Sequence, residues 1–268
     1  MGNKVVVRAF AILSFLLLTA CDQGSEVAAT ASPPSRPEAQ ELRGDAGTDG
    51  AKPLAVQVQR AVPLPQSSWQ ETLRRMPHEE RAYLESLNAR YLGLLEFNSQ
   101  AEWKELSKAG FPSPEAWISA RGQTDRQLKE LADGGDQDAQ LFYADRQLSR
   151  YLDAKGRLTG DPKAEMSHDL MRPQTQAVAY ASGALRYSKT PLAAYMYGII
   201  NESVYGDPEA RLAGILNAGR LGDYDRAHEI ALRLTESKPS IDPAILASYD
   251  QTMSKLISFR RTCLPSTR

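Results

Sequence analysis

The chain has 268 residues, with 32 basic and 33 acidic side chains and 42% hydrophobic residues. This length and apolar content predict one ordinary hydrophobic core. The nearly neutral charge argues against the general phosphate attraction on which nucleic-acid binding depends, so we expect no nucleic-acid partner.

Residues 1–20 have the pattern of an export signal. Lys4 and Arg8 provide a positive start, and an apolar run extends from Ala9 to Ala20. A membrane-spanning helix needs about 20 apolar residues, and this run is shorter. It therefore predicts a secretory signal peptide.

The apolar run ends in Leu18-Thr19-Ala20-Cys21, which resembles the lipobox of bacterial lipoproteins. The resemblance implies cleavage before Cys21, attachment of diacylglycerol to its thiol and, in many such proteins, acylation of the new amino group, typically with palmitate. More than one acyl chain gives stable membrane anchoring. We therefore expect a protein held to a bacterial membrane by lipid and facing the periplasm. The alternative is an ordinary signal peptide whose cleavage site happens to precede a cysteine.

Asp22 and Gln23 follow the expected lipidation site. An acidic residue directly after the lipidated cysteine resembles the signal that retains lipoproteins of enteric bacteria in the inner membrane. The resemblance favours the inner membrane over the outer membrane and leaves both open.

Residues 21–67 predict a disordered tether that carries the lipidated cysteine at its start. The segment is rich in Ala, Pro, Gly and Ser and poor in large apolar residues, a composition that does not form a core. A flexible chain of this length has a root-mean-square span of about 35 to 40 Å. Residues 54–62 alternate like a strand, but they are isolated and flanked by proline.

From Trp69 onward the sequence predicts helices. Five segments begin with a capping residue followed by proline, and further starts have a cap at Thr124 and a capping box formed by Ser99 and Glu102. Glycines occur where these helices should end. The Cap-Pro pairs are Ser113-Pro114, Asp161-Pro162, Thr190-Pro191, Asp207-Pro208 and Asp242-Pro243, and the glycines are Gly110, Gly122, Gly134, Gly156, Gly206 and Gly222.

These signals predict an all-α body of stacked helical hairpins that forms a short α-solenoid. Residues 68–122 show no repeat and are expected to cap the array. Residues 123–262 are expected to form the helical repeats, and residues 263–268 a C-terminal tail.

A repeated small-residue pattern supports this division. Alanine, glycine and an aliphatic residue recur at the same spacing in three successive segments: Ala179/Gly183/Leu185, Ala194/Gly198/Ile200 and Ala210/Gly214/Leu216. A glycine inside a helix costs about 1 kcal/mol relative to alanine, so we expect each of the three to permit a close helix contact. Chance similarity among alanine-rich helices is the alternative.

Residues 131–144 resemble the inter-repeat turn and first helix of Sel-like repeats, a subclass of the tetratricopeptide superfamily. The similarity rests on the turn Gly134-Gly135-Asp136, on Ala139-Gln140 and on Tyr143. Turns near Gly206-Asp207 and Gly222-Asp223 repeat the theme, so the resemblance covers about residues 130–235. It implies paired helices that bind proteins or peptides. The usual Gly-x-Gly turn within a pair is missing, which leaves regular stacking in doubt.

The chain has few candidates for catalysis. His78, His168 and His228 do not have the spacing of a zinc site, and nucleophile elbows, phosphate loops and dinucleotide fingerprints are lacking. We therefore expect neither a metal nor a cofactor. Glu202-Ser203 is the one pair that resembles the catalytic start of some cell-wall lytic enzymes. Its alternative is the end of a helix.

Aromatic residues are the candidate binding groups. Trp103, Trp117, Tyr195 and Tyr197 lie in predicted helices, where most aromatics belong to the core. If they line a groove instead, they are the type of anchor that dominates protein binding energy.

Cys263 is the one thiol that remains if Cys21 carries lipid. An odd cysteine in an oxidising compartment predicts an intermolecular disulfide, a reactive thiol or a lone thiol near the final helix.

The sequence thus favours a non-enzymatic, membrane-anchored scaffold that binds an unknown envelope protein or peptide. A peptidoglycan-active enzyme or its accessory factor is the alternative. A lipoprotein of purely structural use is a third reading.

Overall fold

A computed structural model describes residues 68–157, 168–236 and 240–259. The predictions for the signal peptide, Cys21, the sorting residues, the tether, the helix start at 161–162 and Cys263 lie outside these residues.

Eleven α-helices form the described part of the chain, and no residue there is in a strand. The predicted all-α class is therefore confirmed. In chain order the helices are α1 (Trp69–Arg74), α2 (His78–Arg90), α3 (Gln100–Lys108), α4 (Pro114–Gly122), α5 (Asp125–Asp133), α6 (Gln137–Arg157), α7 (His168–Ser188), α8 (Pro191–Tyr205), α9 (Pro208–Arg220), α10 (Tyr224–Glu236) and α11 (Pro243–Ser258). None of these helices is long and apolar enough to cross a membrane.

Most of the predicted helix starts have the expected cap. The side chains of Ser113, Thr190 and Asp242 accept hydrogen bonds from amides of the first turn. Each is followed by proline, which has no amide to leave unpaired. Thr124 forms a complete capping box with Gln127.

Two caps differ from the prediction. Glu102 does not return a hydrogen bond to Ser99, since its carboxylate accepts instead from the Asn98 amide at 2.7 Å. The Asp207 side chain makes no cap bond. It accepts from the Tyr249 hydroxyl at 3.0 Å and so connects the start of α9 to α11.

Two glycine-aspartate turns share one geometry. Gly135 and Gly222 have φ values of +91° and +115°, which glycine adopts without strain. The amides of Asp136 and Asp223 then donate to carbonyls five residues earlier, at 3.1 and 3.2 Å. This Schellman arrangement ends α5 and α9 and begins α6 and α10.

Successive helices from α5 to α10 pack against one another as hairpins, and α11 packs against α7 and α9. The predicted stack of hairpins is therefore confirmed. At its centre, α8 is buried on all sides from Leu192 to Asn201, as expected for a helix that is apolar around its whole circumference.

Helices α8 and α9 approach closely at two of the repeated glycines. A Cβ built at Gly198 would lie 2.6 Å from the carbonyl oxygen of Ala210, and one built at Gly214 would lie 2.8 Å from that of Ala194. The third glycine, Gly183, behaves differently, because its nearest neighbour would be a Gln140 side-chain oxygen at 3.6 Å. The expected close contact is therefore found at Gly198 and Gly214, while Gly183 meets an ordinary side-chain contact.

Residues 68–122 lie along the stack and contact more than its first helix. Asp145 on α6 is buried and accepts hydrogen bonds from the Arg90 guanidinium and, at 2.8 Å, from the Tyr91 hydroxyl. On α8, the Leu192 amide donates to the Ala109 carbonyl at 3.4 Å.

The same region reaches α10 through Arg226. Its guanidinium donates to the Leu94 carbonyl at 2.6 Å and to the Glu102 carboxylate at 3.0 Å. The N-terminal region thus touches the alternate helices α6, α8 and α10. One cluster of buried residues runs through both parts, so residues 68–122 form a layer that packs on these three helices of the stack.

Candidate functional site: the α6–α7 groove

The four aromatic residues predicted as binding groups are buried. Trp103, Trp117, Tyr195 and Tyr197 are 3%, 1%, 1% and 5% exposed. An anchor for a partner must be reachable on the surface, so these four side chains are core residues and the binding interpretation is corrected. The helical periodicity that places them on an apolar face accounts for their burial.

Their contacts are structural. The Trp117 ring packs edge-to-face on Phe142 of α6, with centroids 4.6 Å apart. The Tyr195 hydroxyl donates to Asp223 at 3.0 Å, at the turn before α10. Burial raises the pKa of Tyr195, and the Asp223 carboxylate raises it further.

Glu202 and Ser203 make contacts within the helical stack. The Glu202 carboxylate forms an ion pair with Arg211 of α9 at 3.1 Å, and the Ser203 hydroxyl donates to the Ile199 carbonyl within α8. Burial raises the pKa of Glu202, while Arg211 lowers it. The Glu202–Arg211 ion pair therefore connects the end of α8 to α9.

The described histidines do not gather with other ligands. His78 begins α2, and His228 stacks on Tyr224 at the start of α10, with ring centroids 6.1 Å apart. In the ranges that the structure describes, no group of three or more His, Cys, Asp or Glu residues could hold a metal ion.

A groove of about 500 Å³ lies between α6 and the first half of α7 and is closed at one side by α5. We call it the α6–α7 groove. It has polar and charged walls, and its lining residues are Asp125 from α5, Tyr143, Gln147, Arg150, Asp153, Ala154 and Arg157 from α6, and Asp169, Arg172, Pro173 and Gln176 from α7.

Charges of both signs line the groove. Its described lining residues include three aspartates and three arginines. Arg150 forms an ion pair with Asp125, which ties α6 to α5. Arg157 and Arg172 are exposed at the rim.

Gln147 is the buried polar residue of the groove. The residue is 2% exposed, and its side-chain nitrogen Nε2 has no hydrogen-bond partner among the described residues. Buried polar groups in proteins are normally paired, because an unpaired donor costs about 1 to 3 kcal/mol. Gln147 is therefore a buried polar residue beside the groove with a donor that the described structure leaves unpaired.

Pro173 interrupts the hydrogen bonding of α7 at the same place. It lies inside the helix and is buried. Proline has no amide hydrogen, so the carbonyl of Asp169 loses the donor that it would have four residues later. Asp169 and Pro173 both line the groove.

A second, smaller cleft of about 390 Å³ adjoins Trp69 and Asn88. Its buried polar group is satisfied, because the Asn88 side chain donates to Glu96 at 2.7 Å and accepts from the Leu95 amide at 3.0 Å. The α6–α7 groove is therefore the stronger candidate.

The groove residues were not predicted from the sequence, although two of its features indicated them. Gln147 falls between Ala144, Leu148 and Tyr151 on the buried face of α6, where a polar residue needs a partner. Pro173 falls inside a helical pattern. Neither signal identifies the facing helix, which the tertiary structure supplies.

Comparisons of the chain with protein-family models, with curated protein sequences and with solved structures found no match.

Proposed function

We propose that the protein is a membrane-anchored periplasmic lipoprotein whose helical body is a scaffold that binds a protein or peptide of the cell envelope. The observation that carries the binding role is the α6–α7 groove, with a buried amide that the fold leaves unpaired. The lipobox-like ending at Cys21 supports the anchor.

The packing of residues 68–122 on α6, α8 and α10 favours the α6–α7 groove as the binding site. Residues 68–122 pack on α6, α8 and α10 through Asp145, Leu192 and Arg226. A partner at that row would have to displace buried apolar side chains. The groove opens between α6 and α7 and requires no such displacement.

The anchor is tested by metabolic labelling. Cells that express the wild type should incorporate radiolabelled palmitate into the protein, and a Cys21→Ser variant should not, because the thiol is the expected acyl acceptor. A Cys263→Ser variant is the matched control and should label as the wild type does. Equal labelling of wild type and Cys21→Ser would overturn the lipoprotein proposal.

Binding is tested in cells with a photo-reactive amino acid. Placed at Arg172, on the rim of the groove, it should give a defined covalent adduct with one envelope protein. Placed at Glu105, whose side chain is 72% exposed on α3, it should give none. Identical adduct patterns at both positions would contradict a specific scaffold.

A further inference from the structure

We propose that two copies of this chain form a dimer by exchanging α11, so that the α11 helix of each copy docks on α9 of the other. The inference goes beyond the scaffold function and depends neither on the lipid anchor nor on the α6–α7 groove. The surface that receives the helix is called the α11 dock. It consists of four residues on α9 and in the turn before it: Asp207, Glu209, Asn217 and Arg220.

Helix α11 has the smallest share of buried residues among the described helices. Met253 is the one of its 16 residues that is buried, whereas 12 of the 15 residues of α8 are buried. Elements with few buried apolar contacts open locally at a lower free energy than the rest of a protein. We therefore expect α11 to leave its place while the helices of the stack remain folded.

Polar contacts fix the start of α11 on the dock. The Asp242 amide donates to the Glu209 carboxylate at 2.6 Å, and the Tyr249 hydroxyl donates to the Asp207 carboxylate at 3.0 Å. Such contacts contribute more to specificity than to affinity. They therefore define the register of a helix that is held weakly.

The second half of α11 is held in the same way. The Asn217 amide donates to the Asp250 carboxylate at 2.9 Å, and the Arg220 guanidinium forms an ion pair with the same carboxylate. The Asn217 amide also contacts the Met253 sulfur at 3.7 Å. The dock thus recognises a helix that carries an acidic residue three positions before a buried apolar one.

Release of α11 uncovers two surfaces that need a partner. The helix exposes Met253 and the half-buried Leu246 and Leu256. The dock exposes Glu209 and Asn217, which are buried in the described structure. A second copy of the chain has both surfaces with the same residues, so reciprocal exchange restores every contact of α11. Exchange of an identical element is for this reason a low-cost route to a dimer.

The connection before α11 suits an exchange. Six residues, 237–242, separate the end of α10 from the start of α11, and short hinge connections favour domain swapping. Asp242 has an extended backbone, with φ −87° and ψ 113°, and precedes Pro243, which disfavours a helical conformation at Asp242. A fully extended connection of this length spans about 20 Å, so α11 can reach a neighbouring copy.

The experiment traps the exchange with two full chains in detergent that carry tags of different mass. Both contain Cys21→Ser and Cys263→Ser, and one adds Arg220→Cys while the other adds Asp250→Cys. The chains are mixed, treated with a short bismaleimide and separated by electrophoresis. The ion pair that these substitutions remove has side chains 57% and 32% exposed. Such pairs contribute little, so the other contacts of α11 remain.

A covalent heterodimer is expected, because position 250 of one copy then lies beside position 220 of the other. Glu105→Cys, at a side chain 72% exposed on α3, replaces Asp250→Cys in the control mixture and should give no heterodimer. Equal yields in the two mixtures would overturn the exchange.

One chain that carries both Arg220→Cys and Asp250→Cys tests the reach of the reagent. Internal cross-linking of this chain, with no heterodimer in the mixture, would show that α11 stays on its own copy and would overturn the proposal. Absence of both products would overturn the α9–α11 contact on which the proposal rests.

The rate of heterodimer formation tests the release of α11. Met253→Ala should increase this rate by about tenfold or more, because truncation of a buried side chain weakens the docking of the helix. Ser254→Ala is the matched control at an exposed position of the same helix and should leave the rate unchanged. Equal rates for the two variants would show that the chains associate without releasing α11.

Discussion

At the scale of single residues, Asp145 is a charged side chain that is buried in the fold. Its side chain is 4% exposed and is held by Arg90, which is 21% exposed, and by the Tyr91 hydroxyl. A buried carboxylate is tolerated when it is paired and hydrogen-bonded. These bonds attach the end of α2 and the turn after it to α6.

We expect Arg90→Met to lower the free energy of unfolding by about 3 to 5 kcal/mol, because Asp145 would be left as an uncompensated buried charge. Chemical denaturation measures this change. Lys108→Met is the control, since the ion pair of Lys108 with Glu105 has both side chains 72% exposed and such pairs contribute little. Equal effects of the two substitutions would contradict the buried role of Arg90.

The same pair predicts a pH dependence. Burial raises the pKa of Asp145 above its usual value, while Arg90 and Tyr91 oppose the rise. The native state therefore binds more protons than the unfolded state between the unfolded and folded pKa values, and the contribution of Asp145 to stability increases as pH falls through that interval. Removing Arg90 raises the folded pKa further. The deficit of Arg90→Met relative to wild type should thus shrink as the pH is lowered from neutrality in a series of denaturation measurements. A deficit that grows on acidification would contradict this assignment.

At the scale of helices, the three repeated glycines separate into two groups. Alanine at Gly198 would place its Cβ 2.6 Å from a backbone oxygen and 2.9 Å from the Gly214 Cα. Backbone atoms on a facing helix cannot move away singly, so α8 and α9 would have to separate. Alanine at Gly183 meets only ordinary contacts.

We therefore expect alanine at Gly198 and alanine at Gly183 to change the stability of the protein in opposite directions. Gly198→Ala should destabilise the protein by about 1 to 3 kcal/mol through overpacking. Gly183→Ala should stabilise it by up to about 1 kcal/mol, because alanine favours the helix. Thermal unfolding of the two variants beside the wild type measures the difference. Stabilisation by both would show that the α8–α9 approach is not as close as described.

At the scale of the whole molecule, residues 68–122 are held to the helical stack by contacts between residues that are distant in the sequence. Arg226 lies more than a hundred positions along the chain from the groups it holds, Leu94 and Glu102. These hydrogen bonds join the N-terminal layer to α10 within one continuous core.

Arg226→Met should lower the free energy of unfolding by about 2 kcal/mol, since its guanidinium makes two charge-assisted hydrogen bonds across this contact. Hydrogen exchange should increase in residues 94–111 more than elsewhere. Arg233→Met is the control on the same helix, because Arg233 pairs with Glu229 at an exposed site. Unchanged protection of residues 94–111 would contradict the role of Arg226 in holding the layer.

The helical class and most helix starts could be predicted from the sequence because they depend on local chemistry. Ser113, Thr124, Thr190 and Asp242 cap neighbouring amides within three residues, and a glycine at 135 or 222 meets a local requirement for positive φ. The candidate site was not predictable in this way. The four aromatics were correctly placed on helices, but whether a helix face meets solvent or another helix depends on distant residues.

The amino-acid order alone therefore determined the all-helical class of the described residues and most of their helix starts, together with the lipobox-like sequence that ends at Cys21. The tertiary structure decided that residues 68–122 pack on the alternate helices α6, α8 and α10, and that Gln147 and Pro173 line one groove. It also placed the four predicted binding aromatics in the core: Trp103, Trp117, Tyr195 and Tyr197. The physical reason is the distance along the chain over which each interaction acts. Capping and turn formation act over a few residues along the chain, whereas burial and an unpaired amide depend on which helices pack together in space.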